Sequence, residues 1–255
     1  MRGPLADLLR VAPEDVDVAP SPSPQDFVLV QGMRETRGAL ERWSAAPGPV
    51  IGPWVAGALL VAVGLLSATW LVATLSTPDS TFVWLAGVTS PIDVEDYARI
   101  LTNNFLVLAL HATACVAGFI AGNSLPLAAK DMTGFRRFVH EKAGPVAIWW
   151  VIAVTTFSLL AQAYALGLDG RNLATAFDIS PFVLILTVLP HAIPELVAVF
   201  LPLAAWLLAS RRNEWSDLLA ATVVTVAIAI PMLLVAAMIE LYVWPELLEA
   251  VSPIL

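Results

Sequence analysis

Five apolar runs, at about 53–76, 104–129, 145–168, 181–209 and 217–244, decide what this chain can fold into. Each reaches the roughly 20 residues that a helix needs to cross a hydrocarbon core of about 30 Å. Lipid offers no partner to a free amide or carbonyl, so runs of this length read as helices that satisfy their own backbone. The expectation is an all-α, polytopic membrane protein with five transmembrane helices. Composition agrees, since 58% of the 255 residues are hydrophobic and only 13% are charged. The bilayer is therefore the first partner. The net charge of −8 speaks against nucleic acid, which draws a basic stripe. Cys115 is the single cysteine and lies inside an apolar run, so it reads as a small hydrophobe and forms no intrachain disulfide. No cleavable signal peptide is expected, because the first apolar run is already a full span.

Basic residues give the orientation. Arg2, Arg10, Arg34, Arg37 and Arg42 precede the first span; Lys130, Arg136, Arg137 and Lys142 follow the second; Arg211 and Arg212 follow the fourth. Only Arg99 and Arg171, of 13 Lys and Arg residues, fall on the other side. The positive-inside rule then predicts N-in, C-out in the cell membrane, with five crossings.

Three regions are expected. Residues 1–25 form a flexible cytoplasmic N-terminus ending in the extended linker Pro20-Ser21-Pro22-Ser23-Pro24. Residues 26–47 form a cytoplasmic amphipathic helix, with Leu29, Met33, Leu40 and Trp43 on its apolar face, and it is expected to pack on the protein's own surface. Residues 48–255 form the five-span domain. Before the second span, Ser90-Pro91-Ile92-Asp93 reads as an N-cap, an N1 proline and an acidic first turn. That predicts a surface helix running into Asn103 and Asn104. Within the second span Gly118 and Gly122 form a small-residue face for close helix packing inside the chain.

The polar residues inside the spans are the candidates for function. Pro190 and Pro194 each remove a helix amide and crowd the carbonyl four residues earlier, so the fourth span is expected to be broken by a kink or a short unwound turn between about 187 and 194. His191 lies at that break, and Glu195 shares its helical face at i,i+4. Glu240 is the second intramembrane carboxylate, with no basic residue near it in sequence, and His111 lies about two turns below Asn104. An intramembrane ionisable group is expensive in lipid and defaults to a functional reading; the alternative is that such groups only pin helices together. Two imidazoles and two carboxylates also suit zinc. Yet no H-E-x-x-H, no serine–lysine pair and no nucleotide-binding glycine pattern is legible, so no catalytic residue, cofactor or metal ligand is assigned.

Three of these stretches together resemble the stage II sporulation protein M family of integral membrane proteins. Ile100-Leu101-Thr102-Asn103-Asn104 is similar to the family's Asn-Asn entry to its second span. Pro190-His191-Ala192-Ile193-Pro194-Glu195-Leu196 is similar to its His-Gly-x-x-Glu-Leu signature, with Ala192 in place of the glycine. Ala236-Ala237-Met238-Ile239-Glu240 is similar to its closing Ala-Ala-x-x-Glu span. Glycines usual further along the fourth span are replaced here by Pro202-Leu203-Ala204-Ala205-Trp206. The resemblance implies a non-enzymatic scaffold or complex component that works with envelope-remodelling protein partners. A transporter or permease subunit with a midplane polar site is the second reading, and an intramembrane metallohydrolase the third. Oligomeric state is not legible in the sequence.

Overall fold

The computed structural model describes residues 28–79, 85–124 and 133–255, so the expected N-terminal linker, Pro126 and Lys130 lie outside the described residues. Seven α-helices carry the described chain: α1 (Val28–Ala45), α2 (Gly48–Leu75), α3 (Val94–Phe119), α4 (Gly134–Ala176), α5 (Pro181–Arg212), α6 (Leu218–Tyr242) and α7 (Trp244–Val251). A π-helical turn, Ile120–Ser124, continues α3, and a 3-10 turn, Trp215–Asp217, opens α6. Five stretches, within α2, α3, α4, α5 and α6–α7, are long and apolar enough to cross a membrane. This architecture is compatible with an integral membrane protein.

α5 is the axis of the bundle, packed against α2, α3 and α6, while α4 lies outside and packs mainly on α2. The connectors on either side of α5 are short, which forces antiparallel neighbours. At its start Ser180 accepts a hydrogen bond from the Val183 amide at 3.2 Å, and Pro181 occupies the first turn, where its missing amide costs nothing. At its end Asn213 adopts the left-handed conformation (φ 56°) that stops a helix, and Arg211 and Arg212 face the negative end of the dipole.

The course of α5 and the start of α3 refine what the sequence leads one to expect. Helical backbone continues through all of Pro181–Arg212, with Pro190, Pro194 and Pro202 inside it, so the fourth span contains no unwound turn. A missing amide removes one hydrogen bond, and a helix held on several flanks tolerates that without unwinding. α3 likewise starts at Val94 rather than at Ser90, and it is the span itself rather than a separate surface helix. Asp93 is its N-cap: Oδ1 accepts from the Asp96 amide at 2.9 Å, and the Asp96 carboxylate accepts from the Asp93 amide at 3.2 Å. This reciprocal pair satisfies two orphan amides, which Ser90 three residues earlier cannot do. Part of the basic connector is also helical, since α4 already begins at Gly134 and its membrane-length portion is Ile148–Ala176.

The core shows how the departures in the fourth span are accommodated. Trp206 is only 2% exposed, and a Cβ placed on Gly118 would stand 2.5 Å from its Nε1. The bulk sits on α5 and the matching hollow on α3. Gly122 makes the same allowance for Trp215, and Gly57 of α2 lies against Ala204. Both glycines of the small-residue face thus receive tryptophans of the same chain.

α1 packs on the start of α6 and the preceding turn. Arg42 Nη2 donates to both carboxylate oxygens of Asp217 at 3.0 Å, and Trp43 meets Trp54 edge-on with ring centroids 5.2 Å apart. The face it buries is the small one, Gly32 and Ala39, rather than the expected Met33, which is 67% exposed. Gly32 allows that approach, standing against Leu219 and Phe119.

Candidate functional site

The polar residues of α3, α5 and α6 meet toward the end of the bundle that carries α7. Asn103 and Asn104 lie near the start of α3, Glu195 near the middle of α5 and Glu240 near the end of α6. The Asn104 side chain lies close enough to the Glu195 carboxylate to interact with it. Glu240 is within electrostatic range of both Glu195 and the Arg99 guanidinium, and it makes no hydrogen bond or ion pair with the described residues. Three spans thus converge on one pair of carboxylates.

Arg99 comes to this site through the helix cap. Its Nη2 donates to Asp96 Oδ1 at 2.6 Å, and the Asp96 side chain is buried because it also closes the α3 capping box. Local sequence therefore fixes where the guanidinium stands. One helical turn on, at i+4, Asn103 shares its face. Between these residues and the end of α6 is a cleft of ≈ 320 Å³, lined by Arg99, Asn103, Glu240 and Trp244, with Ile100 and Leu241 as its apolar wall.

His191 lies on the inner side of Trp244. Their rings are tilted with centroids 5.4 Å apart, and Trp244 Nε1 donates to Thr187 Oγ1 at 3.2 Å, one turn before His191. The His191 ring is buried, and its Nδ1 has no hydrogen-bond partner among the described residues. No bond joins it to Glu195 among those residues, although i,i+4 spacing puts them on one flank of α5; the side chain close to Glu195 is Asn104.

His111 does not join this group. Its Nδ1 lies 2.7 Å from the Val199 carbonyl, which only accepts, so that nitrogen carries the proton and donates. The ring rests against Phe200, centroids 5.6 Å apart, in the apolar core. Close by, Cys115 Sγ donates to the Pro202 carbonyl at 3.2 Å. The two histidines thus stand at separate levels along α5, His191 on that helix and His111 against it from α3. Among the described residues no three His, Cys, Asp or Glu side chains gather closely enough to hold a metal ion, so the zinc reading has no ligand set there.

The wider groove of ≈ 660 Å³ at the opposite end, between α1, Phe119 and Leu219, is apolar, and the charges on its rim, Arg37 and Glu41, pair with each other at 2.9 Å. It offers nothing to fix a polar ligand. Arg99 and Trp244 are the site residues that sequence reading misses. Arg99 enters it only as a charge to be counted and Trp244 not at all, although the i,i+4 spacing from Arg99 to Asn103 was available as a signal. Comparison with known protein families, curated proteins and solved structures gives no match.

Proposed function

We propose that this chain is a component of a larger membrane complex, a scaffold for envelope-remodelling partners, with the Asn104–Glu195–Glu240 cluster as its working site. One observation carries the reading. The three stretches that resemble the stage II sporulation protein M family lie far apart in sequence, yet Asn103, Asn104, Glu195 and Glu240 meet at one end of the bundle. Residues that only stabilised separate helices need not share a site. The orientation in this reading is N-terminus in the cytoplasm, from the bias of Lys and Arg toward the α1 end. The site then faces the extracytoplasmic side of the cell membrane, where wall-acting partners work.

Purification of the tagged protein from its native membrane, followed by mass spectrometry, tests the reading. Envelope-remodelling proteins are the expected companions, and recovery of the chain with no such protein sinks it. Labelling with an impermeant thiol reagent tests the orientation: a cysteine at Arg136 should stay unlabelled in intact cells, and its labelling reverses the assignment.

A permease subunit is the second reading, favoured by the charged lining of the cleft. It predicts a transport ATPase among the companions and loss of substrate uptake in Glu240→Gln.

A further inference from the structure

We infer that the cleft between α3 and the end of α6 binds a primary ammonium group, with Glu240 as its counter-ion and Trp244 as its aromatic wall. The inference rests on the reading of the Glu195–Glu240 cluster as the working site and names what that site recognises.

Charge balance is the first argument. Four charged side chains stand together, Asp96, Arg99, Glu195 and Glu240, three acids to one base. Arg99 already bonds Asp96 at 2.6 Å, and Glu195 has the Asn104 side chain close by. Glu240 has no hydrogen bond or ion pair from the described residues, yet it lines an open cleft. A carboxylate placed that way in an apolar bundle is neutralised by a proton or by a cation, and an ammonium group brings both.

The walls decide which cation. A metal ion wants several oxygen or nitrogen ligands at once, and no such set is gathered among the described residues. An organic ammonium needs less. Glu240 and the Asn103 side-chain carbonyl supply acceptors for its N–H groups, the indole of Trp244 supplies a cation–π face, and Ile100 and Leu241 cover its carbon skeleton. The volume of ≈ 320 Å³ is at the small end for ligand pockets and suits a headgroup-sized molecule. Arg99 lines the same cleft, so a ligand with a phosphate beside its ammonium meets a charge of opposite sign at each end. The same chemistry arrives from two sources, a phosphatidylethanolamine headgroup or a free primary amine.

The test uses the full chain in two formats. In detergent, ethylamine at neutral pH should raise the unfolding temperature saturably where sodium and ethanol do not, and Glu240→Gln should weaken its apparent Kd about tenfold or more. In nanodiscs, the wild type should retain phosphatidylethanolamine over phosphatidylglycerol after delipidation, and Glu240→Gln should lose that preference. Ile100→Trp fills the cleft without altering Glu240 and should give the same losses; it carries the test should Glu240→Gln fail to fold. Retention of the lipid identifies the headgroup as the source, and binding of ethylamine without lipid retention identifies a soluble amine. Wild-type protein that binds neither, or binds both as well as the two variants do, overturns the assignment. If neither binds while Glu240→Gln abolishes function in cells, the ligand assignment falls and the site reading stands.

Discussion

The two halves of α5 are built differently. From Val197 to Trp206 every residue is buried, so this half of the helix is enclosed on all sides by α2, α3 and α6. From Pro181 to Leu196 burial is intermittent, and this half carries Thr187, His191 and Glu195. In lipid, apolar residues gain little by leaving one greasy medium for another, so the enclosed half holds together by close packing between complementary surfaces. The open half is where polar side chains reach partners on other helices. One helix thus serves as core and as site, and the division falls between Glu195 and Val197.

Substitutions on either side of that division should separate fit from chemistry. The largest loss of stability is expected for Trp206→Ala, which empties the hollow beside Gly118 and should cost roughly 3–5 kcal/mol in reversible unfolding in detergent. Gly118→Ala attacks the same contact from α3, with its Cβ 2.5 Å from Trp206 Nε1, and should cost roughly 1–3 kcal/mol. If either variant is as stable as wild type, the enclosed half is not held by that fit. On the open half, Trp244→Phe removes the hydrogen bond to Thr187, whose own hydroxyl still donates to Leu184, and about 1 kcal/mol should be lost. Glu195→Gln should change stability least, by less than about 0.5 kcal/mol, because the amide has nearly the same shape and keeps an acceptor oxygen beside Asn104. The same variant should fail to rescue a deletion strain, since the charge is gone. Normal rescue by Glu195→Gln makes that carboxylate structural and removes the contrast.

Much of this was legible in the apolar runs and the spacing of a few polar residues. Length and hydropathy suffice for five membrane-length helices, since lipid permits few other structures for such segments. Asn104, Glu195 and Glu240 stood out as unusual residues in greasy surroundings, and the structure brings them together. His111 looked equivalent to them and is not, because its partner is a backbone carbonyl on a neighbouring helix that no sequence pattern announces. The continuity of α5 was illegible for a related reason. Proline propensity describes an isolated helix, whereas α5 is held on several flanks. Part of the face that α1 buries escaped as well: Trp43 packs as its periodicity suggests, but the closest approach is made through Gly32 and Ala39, which hydrophobic periodicity does not select.

One contact at the C-terminal end has a consequence for how the site responds to the membrane itself. Ser252 Oγ donates to the Phe177 carbonyl at 2.8 Å, and with Trp244 bonded to Thr187 this moors both ends of α7 at the α4–α5 corner. Glu240 precedes Trp244 by about one helical turn, roughly 6 Å along the axis. Its depth is therefore indexed to that corner and to a single leaflet. When bilayer thickness changes, helices tilt, kink or deform the lipid around them. The carboxylate then moves with the α4–α5 corner as one unit, so the geometry of the site should be alike in thin and thick membranes.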